Sequence, residues 1–288
     1  MNNKIQILPQ HLYNKIAAGE VVGRPESVVK ELIENSIDSG AAEISVLIKD
    51  AGKTLISVID NGSGMNEEDA KLAFLRHSTS KISTYDDLEN IKTLGFRGEA
   101  LASIAAISQV ELKTRLRSDE VGTLVKIEGN DVKEVSKANI EPGTSVSVKN
   151  IFYNTPGRRN FLKSNQTEFR HIYDTFVRLA ISNPGIEFRF YNNDELIFDL
   201  KPATLQLRIE ELFGKEFSDS LIVIASGNQL VKLNGFISKP GFTKKAKQDQ
   251  FFYLNRRFFT NKNLNFAVYS GYDDLIEKGN YPSFFLFI

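Results

Sequence analysis

Between Arg24 and Gly40 the apolar residues Val29, Leu32, Ile33 and Ile37 recur at helical spacing and fall on one stripe at about 100° per residue. Pro25 near the start and Gly40 past the end bracket that segment as a helix. The pattern then changes. Glu43–Ile48 and Leu55–Ile59 read as strands, joined through Asp50-Ala-Gly-Lys53 as a hairpin. A polar, Ser/Thr-rich stretch from His77 to Thr84 leads through Leu94-Gly-Phe-Arg-Gly98 into a short Ala-rich helix, Ala100–Ile107. Further strands are expected at Gly122–Glu128 and Thr144–Val148, a helix at Thr167–Ile181, and strands at Ile186–Tyr191 and Glu195–Leu200.

Lys201-Pro202-Ala203 breaks this alternation, and an amphipathic helix over Leu205–Phe213, ended by Gly214, opens what reads as a second domain. Residues 1–203 and 204–288 are the expected domains, without internal repeats or low-complexity tracts. The last residues, Phe284-Phe-Leu-Phe-Ile288, form an apolar strand-like run that makes a poor terminus, so further residues are expected after it.

Composition narrows the choice of chemistry. Of 288 residues, 41% are hydrophobic and 25% charged, the balance of a folded globule. Lys+Arg and Asp+Glu stand at 36 each, so a charged partner must be met by a local patch rather than by the whole molecule. With no Cys, disulfides, thiolate zinc sites and thiol nucleophiles are excluded, and His11, His77 and His171 are too scattered to make a metal cluster. Met1–Gln10 has no apolar leader core, and no stretch approaches the roughly 20 apolar residues that span a bilayer. A soluble intracellular protein with no membrane partner is the expectation.

Opposite the apolar stripe of the first helix lie Glu31, Glu34, Asn35 and Asp38. Such a face can simply be solvated. It can also be a site: a carboxylate one turn before an amide oxygen can hold a water and a hard cation together, and Mg²⁺ accepts one neutral amide beside phosphate oxygens and waters. Asp60-Asn-Gly-Ser-Gly64 comes directly off a strand. It is either a plain Asn-Gly turn or a place where Asp60 accepts a hydrogen bond from a ligand amine while Gly62 and Gly64 let that ligand approach the backbone. Gly95-Phe-Arg-Gly98 opens a small-residue helix, as a flexible cap or as a set of free N–H groups for phosphates. Gly52-Lys53-Thr54 is not a P-loop, because the earlier glycine would fall at Leu47 and the tripeptide lies in a hairpin turn. Neither a G-x-G-x-x-G run after a strand nor a G-x-S-x-G elbow is present.

Taken in order, Glu31-Leu-Ile-Glu-Asn35, Asp60-Asn-Gly-Ser-Gly64, Gly95-Phe-Arg-Gly98 and Gly143-Thr144 resemble the four nucleotide-binding motifs of the GHKL ATPases. Longer strings are similar to the MutL branch of mismatch-repair proteins: Ile16-Ala-Ala-Gly-Glu-Val-Val22 with Arg24-Pro25, Arg76-His-Ser-Thr-Ser-Lys-Ile82, Gly95-Phe-Arg-Gly-Glu-Ala-Leu101 and Phe152-Tyr-Asn-Thr-Pro156. The resemblance runs nearly the whole chain and is looser after Pro202. It implies an α+β fold: a GHKL-type ATPase sandwich, helices on a mixed, mostly antiparallel sheet, followed by a smaller α/β domain. It further implies a Mg²⁺-dependent ATPase with Glu31 as general base, Asn35 as metal ligand and Asp60, supported by Thr144, reading the adenine amino group. Thr79, Ser80, Lys81 and Gly95, Phe96, Arg97 and Gly98 would form a lid over the triphosphate. MutL proteins also bring a lysine from the second domain to the γ-phosphate. No Lys follows Pro282 here, so ATP binding with slow or absent hydrolysis is the expectation.

From Val231 to Lys262 eight Lys/Arg face one acid, Asp249, either as a solvated loop or as a basic field. Phe251, Phe252, Phe258 and Phe259 are expected to pack in a sheet rather than stack on bases. The resemblance implies a DNA-binding groove with Arg257 and Arg256, joined by Arg158, Arg159 and Lys163. It also implies homodimerisation on ATP binding, with Met1–Gly23 as an arm ordering at the dimer contact. Partners would be DNA without sequence preference, a mismatch-recognition protein and a downstream nuclease or helicase. The location would be cytoplasmic in a bacterium or nuclear in a eukaryote. Two rivals stay open: an ATPase subunit of a type II topoisomerase, which does not explain Gly95-Phe-Arg-Gly-Glu-Ala-Leu101, and a nucleotide-gated scaffold without useful hydrolysis.

Overall fold

The computed structural model describes residues 9, 16, 18, 19, 21–84, 86, 87, 90 and 93–288. His11 and most of the arm expected over Met1–Gly23 lie outside the described residues. The chain divides into two compact units, Met1–Phe176 with Ile186–Lys201, and Val177–Gly185 with Pro202–Ile288.

The first unit opens with α1 (Pro25–Asp38). Strands β1 (Glu43–Lys49) and β2 (Leu55–Asp60) form the expected hairpin, followed by the short helix α2 (Glu67–Leu72) and by α3 (Ala100–Ile107). Strands β3 (Gln109–Arg115), β4 (Gly122–Glu128), β5 (Asp131–Ala138) and β6 (Gly143–Lys149) come next, then helices α4 (Pro156–Phe161) and α5 (Asn165–Ser182). Strands β7 (Glu187–Asn192) and β8 (Glu195–Leu200) complete an eight-stranded sheet of order β5-β4-β3-β6-β2-β1-β7-β8. Only β1 and β7 pair in parallel within it.

Alternation along the strands turns Ile44, Val46 and Ile48 of β1, Ile56 and Val58 of β2, and Val110 and Leu112 of β3 into the core, where Val28, Val29, Leu32 and Ile33 of α1 are also buried. Aromatic rings fill the end of the sheet: Phe176 of α5 stacks on Phe190 (4.5 Å between centroids) and Phe198 (5.8 Å) and meets Phe188 edge-on. On the strand faces turned away from this core the Ser57 and Ser147 hydroxyls lie 2.9 Å apart.

Three positions on α1 depart from the sequence pattern. Ile37 is only half-buried, whereas Glu34 and Ser36 are buried. Glu34 tolerates this because the Lys30 ammonium donates to it at 2.9 Å. Strands β3 and β5 were not among the expected strands; in β3 polar residues alternate with buried Val110, Leu112 and Thr114, whereas β5 is largely exposed.

In the second unit, α6 (Leu205–Phe213) ends at Gly214 with φ of +91°, a conformation that favours glycine. Helix α7 (Lys215–Asp219) follows. Strands β9 (Leu221–Gly227), β10 (Lys232–Ser238), β11 (Gln250–Leu254), β12 (Arg257–Phe259) and β13 (Phe284–Phe287) form a sheet of order β12-β11-β13-β10-β9, and helix α8 (Lys262–Ser270) connects β12 to the last part of the chain. Phe251 stacks on Phe285 (5.1 Å), and Phe252 meets Phe284 (4.7 Å) and Phe259 (5.7 Å). These phenylalanines pack in a sheet, as their apolar clustering suggests.

Candidate active site

Asp60 is the last residue of β2 and sits opposite Thr144 of β6 in the ladder. One carboxylate oxygen accepts from the Ser36 hydroxyl at 2.7 Å and the other from the Gly62 amide at 2.9 Å. The Thr144 backbone amide also donates to it. Burial lifts Asp60 above the ordinary carboxylate range, and these three donors offset that only in part. With four lone-pair sites on two oxygens, the carboxylate retains acceptor capacity for a ligand amine.

The surrounding turn is built to hold Asp60 still. Asn61 Oδ1 accepts from the Ala42 and Glu43 amides at 2.8 and 2.9 Å. Gly64 has φ of +69°, and a Cβ there would lie 2.0 Å from the Arg115 carbonyl oxygen. Its missing side chain therefore makes room for the end of the neighbouring strand β3. A Cβ on Gly62 would lie 1.9 Å from Ser39 Oγ and 3.0 Å from Asp60 Oδ1. The Thr114 hydroxyl donates to the Gly143 carbonyl (3.0 Å) and accepts from the Met65 amide (2.9 Å), so Thr144 Oγ1, 3.0 Å away, is left to donate to it.

Ser36 and Thr114 were missed in the sequence. Ser36 follows Asn35 by one residue and is thereby turned about 100° toward the sheet. That geometry was the available signal, since a polar residue on the inner side of an amphipathic helix needs a buried partner.

The outer side of α1 carries the remaining polar groups. Lys30 Nζ contacts Glu31 at 3.2 Å and Glu34 at 2.9 Å. Burial works against the charged form of Lys30, but Glu31 and Glu34 outweigh it and raise its pKa. One turn on, Asn35 Oδ1 accepts from Lys81 Nζ at 3.0 Å, and that ammonium is 2.6 Å from Asp38 Oδ2. Asp38 also accepts from the amides of Leu94 (2.8 Å) and Gly95 (2.9 Å). Thr79 Oγ1 accepts from the Lys81 amide at 3.2 Å, while Ser80 is exposed. Gly98 has φ of +62°, and a Cβ there would meet the Ser78 carbonyl oxygen at 2.5 Å. The Arg97 guanidinium lies 5.6 Å from the Phe96 ring centroid. The structure thus brings the two segments expected to form the lid, residues 79–81 and 95–98, together with their neighbours Ser78 and Leu94 against the outer side of α1. At the start of α3, the N-cap residue Glu99 makes no side-chain cap.

A Mg²⁺ fits this donor set. A cation already lies against Asn35 Oδ1, in the form of the Lys81 ammonium. Among the described residues no group of three or more His, Cys, Asp or Glu is arranged to hold a metal ion.

The five basic candidates lie in different units. Arg158 belongs to the first, where its guanidinium covers Gly19 and donates to the Ile16 carbonyl at 3.5 Å. Arg159 and Lys163 are exposed, and the Lys163 carbonyl accepts from Lys53 Nζ at 2.8 Å. Arg256 and Arg257 are exposed in the second unit at the β11–β12 turn, with Asn255 and Arg256 both at positive φ. Part of the basic field around them is structural: Lys244 pairs with Asp249 and covers the Phe217 ring, Lys247 covers Tyr281, and Lys239 donates to the Asp219 carbonyl.

Residues 23–155 match the family model described as histidine kinase-, DNA gyrase B-, and HSP90-like ATPase, and residues 209–288 match that of the DNA mismatch repair protein, C-terminal domain. The DNA mismatch repair protein MutL of Christiangramia forsetii is 49% identical over 288 residues, which is 100% of this chain and 47% of that protein. MutL of Chloroherpeton thalassium is 51% identical over 284 residues, 99% of this chain and 44% of that protein. The chain belongs to the MutL family. It spans about half the length of the curated MutL relatives it matches. A crystal structure of the N-terminal domain of a DNA repair protein shares 26% identity at a TM-score of 0.81, covering 98% of this chain and 88% of that one. The Aquifex aeolicus MutL ATPase domain complexed with ADP shares 26% identity at a TM-score of 0.70, covering 93% of this chain and 92% of that one. The fold is accordingly α+β, a GHKL-type ATPase domain followed by a smaller sheet domain. Among the described residues no helix is long and apolar enough to cross a membrane.

Proposed function

We propose that this chain is the ATP-binding and ATP-hydrolysing region of a MutL mismatch-repair protein, with residues 1–203 as the ATPase domain and 204–288 as a second, DNA-contacting domain. The observation that carries this reading is the pairing of two neighbours on α1: Ser36 orients the buried Asp60 carboxylate, and Asn35 presents its oxygen to a lid cation. Base recognition and phosphate chemistry need those two ends held at fixed separation.

In this reading Asp60 accepts from the adenine amino group, with Gly62 and Thr144 fixing the carboxylate. Glu31 takes a proton from the attacking water. Asn35 would hold Mg²⁺ with phosphate oxygens and waters, and the metal supplies charge neutralisation at the phosphates. Lys81, Thr79, Ser80 and Gly95–Gly98 close over the triphosphate and exclude water. Ordering of that lid makes ATP a switch for homodimerisation, through which the protein clamps DNA in the cytoplasm and couples mismatch recognition to a downstream nuclease or helicase.

Sedimentation with Mg²⁺ and a non-hydrolysable ATP analogue tests the switch. A shift from monomer to dimer that Asn35→Ala abolishes is the expected result; no analogue binding by the unaltered chain would overturn the nucleotide reading itself.

DNA contact is proposed to run through phosphates, with Arg257 and Arg256 at the β11–β12 turn and Arg159 and Lys163 on the first unit. Arg158 is the weakest of these candidates because the N-terminal segment engages it. Each phosphate contact adds about 0.7–0.9 to the slope of log affinity against log salt. Arg257→Glu is therefore expected to lower that slope by at least about 0.7 without altering sequence preference. An unchanged slope in a salt titration of duplex and single-stranded DNA would put the contact elsewhere.

A further inference from the structure

Thr114 of β3 stands in one row with the residues at the end of β2 and the start of β6. In the ladders it is paired with Thr144, and Thr144 is paired with Asp60. Directly opposed residues of an antiparallel pair turn their side chains to the same face, so these three lie side by side. Thr114 is fully buried, whereas Thr144 is partly exposed. A hydroxyl has one proton to donate and two lone pairs to accept with. Thr114 uses all three. It donates to the Gly143 carbonyl at 3.0 Å and accepts from the Met65 amide at 2.9 Å, and its remaining lone pair faces Thr144 Oγ1 at 3.0 Å. The proton of that last bond has to come from Thr144. Thr144 therefore keeps only lone pairs for anything else, beside an Asp60 carboxylate that likewise only accepts.

We propose that Thr114 is a positioning residue that sets the base preference of the nucleotide site through Thr144. By drawing the Thr144 proton inward, it makes Asp60 and Thr144 a pair of neighbouring acceptors. Such a pair is matched to the exocyclic amino group of adenine, which carries two N–H donors. It is mismatched to a purine with an oxygen at that place, which brings one more acceptor among acceptors. The proposal rests on the nucleotide reading and deepens it, because Asp60 alone would leave Thr144 able to turn its proton toward such an oxygen. A hydroxyl free to rotate serves either base, and one held by a saturated partner discriminates between them. A Thr114 that merely held the Met65 turn against β6 would act on all bases alike.

The test compares ADP with inosine diphosphate, which carries an oxygen in place of the adenine amino group. Calorimetric titration of the unaltered chain, Thr114→Val and Thr114→Ser gives the ratio of the two dissociation constants. Thr114→Val keeps the side-chain shape and releases the Thr144 proton, so the preference for ADP is expected to fall by about three- to tenfold. Thr114→Ser keeps the hydroxyl and should keep the ratio. Equal weakening of both nucleotides in Thr114→Val, with the ratio unchanged, would overturn the proposal, and so would an equal fall of the ratio in Thr114→Ser. A second measurement needs no substitution. In the unaltered chain the Thr144 hydroxyl proton is expected to exchange slowly enough to give an NMR signal with a cross-peak to the Thr114 side chain. Rapid exchange of that proton with water would overturn the proposal as well. Failure of the unaltered chain to bind ADP would remove the nucleotide reading itself, whereas ADP binding with an unchanged ratio in Thr114→Val would remove the role of Thr114 alone.

Discussion

Alanine in place of Glu31 is expected to lower ATP hydrolysis by about 10²- to 10⁴-fold, the range that a positioned general base supplies. Glu31 is one turn ahead of Asn35 on the same stripe, with its side chain a quarter exposed, so a water held between the two can be reached by both. Lys30 adds a permanent positive charge at 3.2 Å, shared with the buried Glu34. Glu31 makes no contact with Asp60 or with the lid groups gathered on Asp38, so its removal should leave nucleotide binding nearly intact. Single-turnover hydrolysis of labelled ATP with protein in excess measures the chemical step even when turnover is slow, and analogue affinity measured in parallel separates lost chemistry from lost binding. A loss of less than tenfold would exclude Glu31 as the base.

Asp60→Asn is expected to weaken binding of adenine nucleotides by about 10- to 100-fold, matching the roughly 1.5–3 kcal/mol carried by a hydrogen bond to a charged group. The amide would turn a donor toward the Ser36 hydroxyl, the Gly62 amide or the adenine amine, each of which needs an acceptor. Calorimetric titration with the ATP analogue reads this directly, and a change below threefold would place base recognition elsewhere. Burial raises the folded-state pKa of Asp60, with two opposite consequences for pH. The folded chain holds this proton more tightly than the unfolded chain. The contribution of Asp60 to stability is therefore fully present below the unfolded value and is lost as pH rises through the folded one. Nucleotide binding runs the other way: the acceptor disappears as pH falls through that same raised value. The acid limb of the affinity profile should thus begin above the ordinary range for aspartate and shift or vanish in Asp60→Asn.

The elements that carry these groups were readable in the chain because their signals are local. The helix over Pro25–Asp38 has its proline, its period and its glycine, and Leu205–Phe213 and Ala100–Ile107 begin and end where their composition changes. The position of Asp60 at a strand end was equally plain. What could not be read was the partner of each polar residue. Ser36 sits on the apolar face of its helix, which marks it as needing a buried partner, but only the arrival of β2 beneath it makes that partner Asp60. Glu34 was grouped with the solvated face, but its neighbour Lys30 allows it to be buried. Asp38 stood in the same stripe, and its partners lie 43 to 57 residues away, in segments with no regular periodicity. Strand β5 failed for a different reason: none of its residues is buried on either face, which erases the alternation that marks a half-buried strand.

The run from Glu31 to Asp38 concentrates on one rigid rod the water-activating carboxylate, the cation-facing oxygen, the hydroxyl that aims Asp60 and the carboxylate that receives the Leu94 and Gly95 amides. Each residue added to or removed from a helix turns everything beyond it by about 100°. One inserted residue between Glu31 and Asn35 would swing Asn35, Ser36 and Asp38 away from all their partners at once, whereas a single side-chain exchange disturbs one of them. The segment should therefore tolerate letters changing far better than it tolerates its length changing, and a mutational library scored for nucleotide binding would be emptied of insertions and deletions between these two ends.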